Sequence, residues 1–314
     1  MKAIVVSAFG GPEVLHLEDT PDPQPKVGEV LVRLHAAGVN PVETYVRSGA
    51  YAHLPPLPYI PGADGAGDVV EVGHGVEGFT VGERVYVAGA PTYAEMVAAP
   101  AAAIWPLPPH VTYEQGAALG VPYRTAYLAV HLVGCARPDD WVLVRGGSGG
   151  VGTAAIQIAA LHGCHVVATA GTPEGQALVV AQGARAAAAH GDVDRLAALT
   201  DGHRYDLIVE MLANVNLATD LTLLAEGGRV AVVGSRGHTS IDPRELMARS
   251  SSLRGVLGMT PEQRRRIHVA LGVGLRNRTL VPVVGRRFPL AEAAAAHTAV
   301  MAPGAHGKVV LTIP

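Results

Sequence analysis

Cysteine is nearly absent from this chain of 314 residues. Cys135 and Cys164 form neither a CxxC pair nor any other metal or disulfide spacing, which excludes a disulfide-stapled secreted domain and points to a reducing compartment. A strong charge of either sign is lacking too. The formal net charge of -3 gives no general attraction to nucleic acid or to an acidic membrane, and the triplet Arg264, Arg265 and Arg266 reads as a solvated helix face. The opening MKAIVVSAFG enters a strand pattern with no leader-like apolar core or cleavage site, so a cytoplasmic protein is expected. Internal repeats and long disordered linkers do not occur. Charged side chains vanish from Gly146 to Pro173, a run longer than the ~20 residues a membrane-crossing helix needs. Glycines at 146, 147, 149, 150 and 152 and the pair His162-Gly163 interrupt it, so it predicts loop, helix, turn and strand.

What the chain does contain is two textures, and its length suits two domains. Before Gly116 there are short β patterns punctuated by Pro and Gly: AIVVSAF, VLVRLHAAGV, GDVVEVG, RVYVAGA and AEMVAAP. They predict a β-rich module. Beyond it, helices alternate with buried β runs: WVLVRG, TAAIQIAALHG, HVVATAG, a helix over 174–182, DLIVEM, a helix over 216–224, and GRVAVVGS. This alternation predicts an α/β unit, a doubly wound parallel sheet of the Rossmann type covered on both faces. The Ala186 to Ala189 run reads as a short strand of small residues. After an Arg-rich helix over 261–275, VPVVGRRFPL, an Ala-rich helix from Leu290 to Val300 and KVVLTI return to the first texture. The expected domains are 1–120 with 280–314, and 121–279.

The strongest local signal is WVLVRGGSGGVGTAAIQIA, a strand running into glycines and then a helix. Gly149 and Gly152 stand out, because such glycines permit a tight turn, close approach of a pyrophosphate and close helix packing, while the helix start offers N–H donors. A second strand, HVVATAG, follows where a dinucleotide site requires it. Its tip reads Thr169, Ala170, Gly171, Thr172, with no Asp or Glu for a ribose 2'-hydroxyl and no carboxylate to repel a 2'-phosphate. Glu174 lies too far into the next helix, so NADPH is the expected cofactor.

GVNPVETYVRSGAY (38–51), GVPYRTAY (120–127), the glycine turn, ATAGTPEGQ (168–176), EMLANVNL (210–217) and GGRVAVVGSRG (227–237) together resemble the zeta-crystallin-like NADPH:quinone oxidoreductases of the medium-chain dehydrogenase/reductase superfamily. The resemblance runs end to end. It implies a GroES-like β-rich catalytic domain, a Rossmann domain, and cofactor in the cleft between them. It implies cofactor contacts from Tyr45, Ser148, Gly149, Gly150, Val151, Gly171, His190, Asn216, Val233, Gly234, Ser235, Arg236, Val256, Leu257 and Gly258. Asn40, Tyr45, Tyr51 and Thr125 match positions around the nicotinamide and substrate. Two departures are visible. Gly147 replaces the family's common Ala, an exchange expected to be harmless, and Arg124 replaces an apolar or aromatic residue, facing either the cleft or solvent.

By the same resemblance the zinc-enzyme Cys position is Asn40, and the His and its neighbouring Glu are Ala63 and Asp64. The later Cys falls in GVPYRT, and YVAGAPTYAEM lacks the cysteines of a structural zinc lobe. No ligand set survives, so no metal is expected. Without a Lewis acid, reduction of simple carbonyls loses its stabiliser, and more easily reduced acceptors, quinones or electron-poor enones, are the expected substrates. All tyrosines but Tyr205 lie at or before Tyr127. Tyr45, Tyr51, Tyr59 and Tyr123 fall in loop-like segments where a planar acceptor could stack, although Tyr59 and Tyr123 fit a core role equally well. His190 closes the Ala-rich strand, where a cationic or hydrogen-bonding side chain could reach an adenosine phosphate. Quinone reduction is the main reading, with enone or enoyl reduction and an RNA-binding side role as alternatives. A homodimer or homotetramer is expected, with no membrane and no nucleic acid as principal partner.

Overall fold

The computed structural model describes residues 1–304 and 306–314, and the chain divides into two units. The first comprises Met1–Val121, Gly272–Pro303 and Gly307–Pro314. Its main sheet runs in the order Val284–Pro289, Lys308–Thr312, Glu29–Val39, Asp64–Val72, Arg84–Ala88, Ile104–Pro106, with Met96–Pro100 also paired to Glu29–Val39. The long Glu29–Val39 strand is the organiser, because its β-branched residues and leucines face a core with Ile4, Val69, Val87 and Leu311. Its far end pairs antiparallel with two segments distant in sequence, Val39 opposite Val309 and Gly38 opposite Asp64. That crossing point carries the polar cluster described below.

The second unit comprises Pro122–Leu271 with Gly304 and His306. Its six strands are all parallel and lie in the order Ala186–Ala188, His165–Thr169, Trp141–Val144, Tyr205–Glu210, Leu224–Val232, Ser252–Gly255. Counted along the chain this is 3-2-1-4-5-6, the doubly wound dinucleotide-binding order. Trp141–Val144 is buried throughout, as a strand covered on both faces must be. The charge-free stretch becomes a turn, the buried helix Gly150–Leu161, and the strand His165–Thr169. No helix among the described residues is long and apolar enough to cross a membrane. The helix expected over 216–224 starts earlier, at Ala213. The cause is local: the Glu210 carboxylate accepts the Leu212 N–H and the Asn216 side-chain amide, organising the first turn.

The glycine turn differs from expectation in which glycines the protein itself demands. A Cβ on Gly152 would stand 2.3 Å from the Gly146 carbonyl oxygen, so the helix approaches the turn too closely for any side chain. At Gly149 the nearest atom would be 3.7 Å away, and its φ of -79° suits any residue. Gly147 has no such room. An added Cβ would meet Ala168 and Val179 at 2.9 Å and Ile156 at 3.1 Å, so the glycine is tolerated here and an alanine would need its neighbours to shift. Gly147→Ala is therefore expected to lower stability by about 1–3 kcal/mol, the usual cost of overpacking. Gly152→Ala should cost no less, and Gly149→Ala little, as urea unfolding of the three variants will show.

Candidate active site

In the first unit, the end of the strand Glu29–Val39 meets the helix Pro41–Arg47, whose start is set by Pro41 at its first position and by a carboxylate. Glu43 accepts the Asn40 backbone N–H at 2.9 Å and one Asn40 side-chain N–H at 3.0 Å. The second Asn40 side-chain N–H goes to Asp64 Oδ2 at 2.9 Å, and Asn40 Oδ1 accepts from the Lys308 ammonium. Lys308 also donates to Asp64 Oδ2 at 3.0 Å, while Asp64 Oδ1 takes the Val121 N–H at 2.7 Å. Asn40, Glu43, Asp64 and Lys308 are all buried. An ammonium and two carboxyls in such surroundings persist only because nearly every polar atom has a partner.

The network continues away from Asn40. The Tyr93 hydroxyl donates to Glu43 at 2.6 Å, and its oxygen lies 3.1 Å from His297 Nε2. Arg47 Nη1 approaches His297 Nδ1 at 3.4 Å. Arg47 can only donate, so Nδ1 accepts and the His297 proton resides on Nε2, directed at Tyr93. Burial, reinforced by the Arg47 charge, pushes the His297 pKa down to about 3, so the ring is neutral. Burial likewise raises the Glu43 carboxyl, against the opposing pull of Lys308, Asn40 and Tyr93.

Tyr45 lies on the helix Pro41–Arg47 and Tyr51 in the segment after it; both are half-buried, and neither hydroxyl has a hydrogen-bond partner among the described residues. The Tyr59 hydroxyl is buried and also unpartnered, with its ring against the core. Tyr123 is not in a loop. It sits on the helix Gly120–Tyr127, fully buried, its hydroxyl donating to Gln157 at 3.0 Å, so it is a core residue. Thr125 is half-buried on that helix. Arg124 is half-buried rather than free in solvent, and its charge, second to burial, helps push the His268 pKa down to about 3.

In the second unit, the expected cofactor residues gather at one end of the parallel sheet, each just past the carboxyl end of a strand. Ser148 to Val151 follow Trp141–Val144, Gly171 follows His165–Thr169, and His190 lies just beyond Ala186–Ala188. Asn216 follows Tyr205–Glu210, Val233 to Arg236 follow Leu224–Val232, and Val256 to Gly258 follow Ser252–Gly255. Ligands of open α/β sheets bind at this end. The loop after Val232 is held by Asn214 Oδ1, which accepts the Arg236 N–H at 2.8 Å.

Hydrogen bonding anchors the ring of His190. The Gly146 N–H donates to Thr169 Oγ1 at 3.0 Å, and the same hydroxyl is hydrogen-bonded to His190 Nδ1 at 2.9 Å, which leaves Nε2 as the outward-facing nitrogen. Burial, then the Arg145 charge, lower the His190 pKa, so the ring is neutral and not a cation. Its Nε2 stands 3.3 Å from where a Cβ on Gly171 would be. Amides at the start of the helix Gly150–Leu161, room above Gly149, the outward-facing nitrogen of His190 and a strand tip with no carboxylate together suit an anionic ligand.

Beneath this surface Arg145, fully buried, donates through Nε and Nη2 to Asp220 Oδ1 at 2.8 Å and through Nη1 to the His190 carbonyl at 2.7 Å. Two buried carboxylate oxygens, Glu210 Oε2 and Asp220 Oδ2, have no donor. Burial, and then the hydrogen bond with Glu210, push the Asp220 pKa up to about 8 against the pull of Arg145, so one proton held between the carboxyls satisfies both oxygens.

Residues 26–109 match the alcohol dehydrogenase GroES-like domain and residues 150–271 the zinc-binding dehydrogenase domain. The human protein "Quinone oxidoreductase" is 45% identical over 322 residues, spanning all of this chain and 98% of its own length. This chain belongs to the quinone oxidoreductase family of the medium-chain dehydrogenase/reductase superfamily. A Thermus thermophilus quinone oxidoreductase, solved also in complex with NADPH, is 38% identical with a TM-score of 0.85, each chain covered in full. A structure titled as an NAD-dependent alcohol dehydrogenase has a TM-score of 0.93 at 33% identity, again over the full length of both. Backbone similarity within the superfamily thus does not choose the cofactor or the substrate; side chains do. Although one matching domain is named for zinc, among the described residues no three or more His, Cys, Asp or Glu side chains are grouped to hold a metal ion.

Several members of these two clusters were beyond the sequence reading. Glu43 carried a local signal, three residues after Asn40 and Pro41 at a helix start. Lys308 and His297 carried none, being 268 and 204 residues from their partners Asn40 and Tyr93. Arg145, Glu210 and Asp220 looked like ordinary neighbours of a strand or helix.

The shared proton makes a pH prediction for this quinone oxidoreductase relative. Asp220 is protonated in the folded protein where it would be ionised in the unfolded one, so unfolding releases a proton. Its contribution to stability falls as pH rises from about 4 to about 8. Urea unfolding across that range should show the decline, and Asp220→Asn should flatten it; an unchanged slope in the variant would refute the assignment.

Proposed function

We propose that this protein is an NADPH-dependent quinone reductase of the zeta-crystallin-like type that works without a metal. The observation that carries the reading is the carboxylate-free strand tip Thr169 to Thr172 beside the neutral His190 ring, in a chain colinear with a quinone oxidoreductase. The amides of Ser148 to Val151, Gly171, His190, Asn216, Val233 to Arg236 and Val256 to Gly258 hold the dinucleotide, and Tyr45 packs on it. The functional modules are a catalytic one, 1–120 with 280–314, and a dinucleotide one, 121–279, although by contacts residues 272–279 group with the first unit. Bound NADPH supplies the reducing equivalents. Asn40, Tyr45, Tyr51 and Thr125 shape the acceptor site and exclude water.

A quinone accepting electrons can take its protons from water, so an indispensable acid is not required. The hydroxyls of Tyr45 and Tyr51 remain available to polarise a carbonyl, while the Asn40 amide is already occupied. Assembly into a cytoplasmic homodimer or homotetramer is supported by the unpaired edge of Ser252–Gly255 and by the exposed side chains of Met247 and Leu257 nearby in sequence. The net charge of -3 disfavours an RNA role.

The deciding experiment follows NADPH and NADH oxidation with ortho-quinones, para-quinones and 2-alkenals, with and without a chelator. Quinone-dependent NADPH oxidation insensitive to the chelator is expected; turnover restricted to 2-alkenals would favour the enone reading, and equal use of both cofactors would remove the case for NADPH. Gly171→Asp should weaken NADPH binding by about tenfold or more through like-charge repulsion beside His190. Tyr51→Phe should lower quinone turnover by less than about tenfold, because the lower end of the general-acid range is about a hundredfold.

A further inference from the structure

We propose that Lys308 is a positioning residue of the reductase site, locking the amide of Asn40 and, through it, the start of the helix that carries Tyr45. Its activity readout rests on the quinone reductase reading; its spectroscopic readout does not. The ammonium donates to Asn40 Oδ1 and Asp64 Oδ2. Were the amide turned over, its NH2 would face the ammonium and its oxygen would face the carboxyls of Glu43 and Asp64, so donor would meet donor and acceptor would meet acceptor. Lys308 leaves only one orientation with every atom satisfied.

The consequence reaches beyond one side chain. Both Asn40 side-chain N–H groups and its oxygen are consumed inside the cluster, so Asn40 has no donor to spare for a substrate and acts as the joint between strand and helix. Lys308 stands on the strand Lys308–Thr312, Asn40 at the end of Glu29–Val39, and Asp64 at the start of Asp64–Val72. One ammonium therefore ties three strands at the point from which the Tyr45 helix departs.

The test compares Lys308→Met with the double variant Lys308→Met, Asp64→Asn, which leaves no unpaired ammonium or Asp64 carboxylate. In a 15N spectrum, the Asn40 side-chain NH2 pair is assigned by its loss in Asn40→Asp. In Lys308→Met that pair is expected to move toward solvent-exposed amide positions, and turnover at saturating NADPH to fall by about tenfold to a hundredfold through misplacement of the site. The NADPH dissociation constant should rise by less than turnover falls, because the Tyr45 contact is disturbed while the phosphate-binding turn lies in the other unit. The double variant should recover thermal stability while turnover stays low. Should Lys308→Met fail to fold, the double variant supplies both readouts. An unmoved Asn40 signal, or full turnover in the double variant, would overturn the proposal. A wild-type protein that reduces no quinone would defeat the functional reading while leaving the amide signal to decide the role of Lys308.

Discussion

A carboxylate cannot stand alone in a protein interior, and the first unit is arranged around that fact at Asp64. Its two oxygens take a backbone N–H, an amide N–H and an ammonium, from Val121, Asn40 and Lys308. Leaving a buried charge unpaired costs several kcal/mol, so the pairing must be kept if the module is to fold. It sits at the register where Gly38 faces Asp64 and Val39 faces Val309, beside the point where Pro41 and the Glu43 carboxylate start the helix Pro41–Arg47. Asn40, shared by the charge cluster and the helix start, links the placement of Tyr45 to that pairing.

The second unit solves a similar problem with a proton. Arg145 supplies one positive charge for two buried carboxyls, Glu210 and Asp220, and burial beside Glu210 pushes the Asp220 pKa up to about 8, so that this carboxyl keeps its proton. Arg145 also holds the His190 carbonyl, and the ring of His190 is aimed by Thr169, whose hydroxyl is oriented by the Gly146 amide. The glycine turn is thus bonded to the residues expected around the far end of the same ligand. Gly146 links them through a side chain, where a bare phosphate loop would offer only its backbone.

The closeness of this chain to enzymes with different names follows from the same division of labour. The fold supplies a parallel sheet with ligand-facing strand ends and a β-rich partner module, and it is shared with a neighbour titled as an NAD-dependent alcohol dehydrogenase. The side chains distinctive of this chain are local: Asn40 bonded to Lys308 and Asp64, and Gly171 beside His190. None of these changes the path of the backbone, so backbone similarity is blind to them.

The sequence alone determined the two textures, the parallel sheet, the glycine turn and the absence of a carboxylate at the second strand tip, because each is written in residues adjacent along the chain or spaced by a helix or strand period. It also carried the family motifs, which survive as contiguous words such as GVNPVETYVRSGAY. Tertiary structure alone decided that Gly147 lacks room for a methyl, since Ala168, Val179 and Ile156 surround it. It decided that Tyr123 is core, that the neutral His190 ring is anchored by Thr169, and that Lys308 meets Asn40 across nearly the whole chain. The physical reason is common to all four. Packing clearance, hydrogen bonding and charge pairing depend on which atoms lie within a few ångströms, and only strand register and topology bring to that distance residues as far apart along the chain as His190 and Thr169, 21 positions, or Lys308 and Asn40, 268.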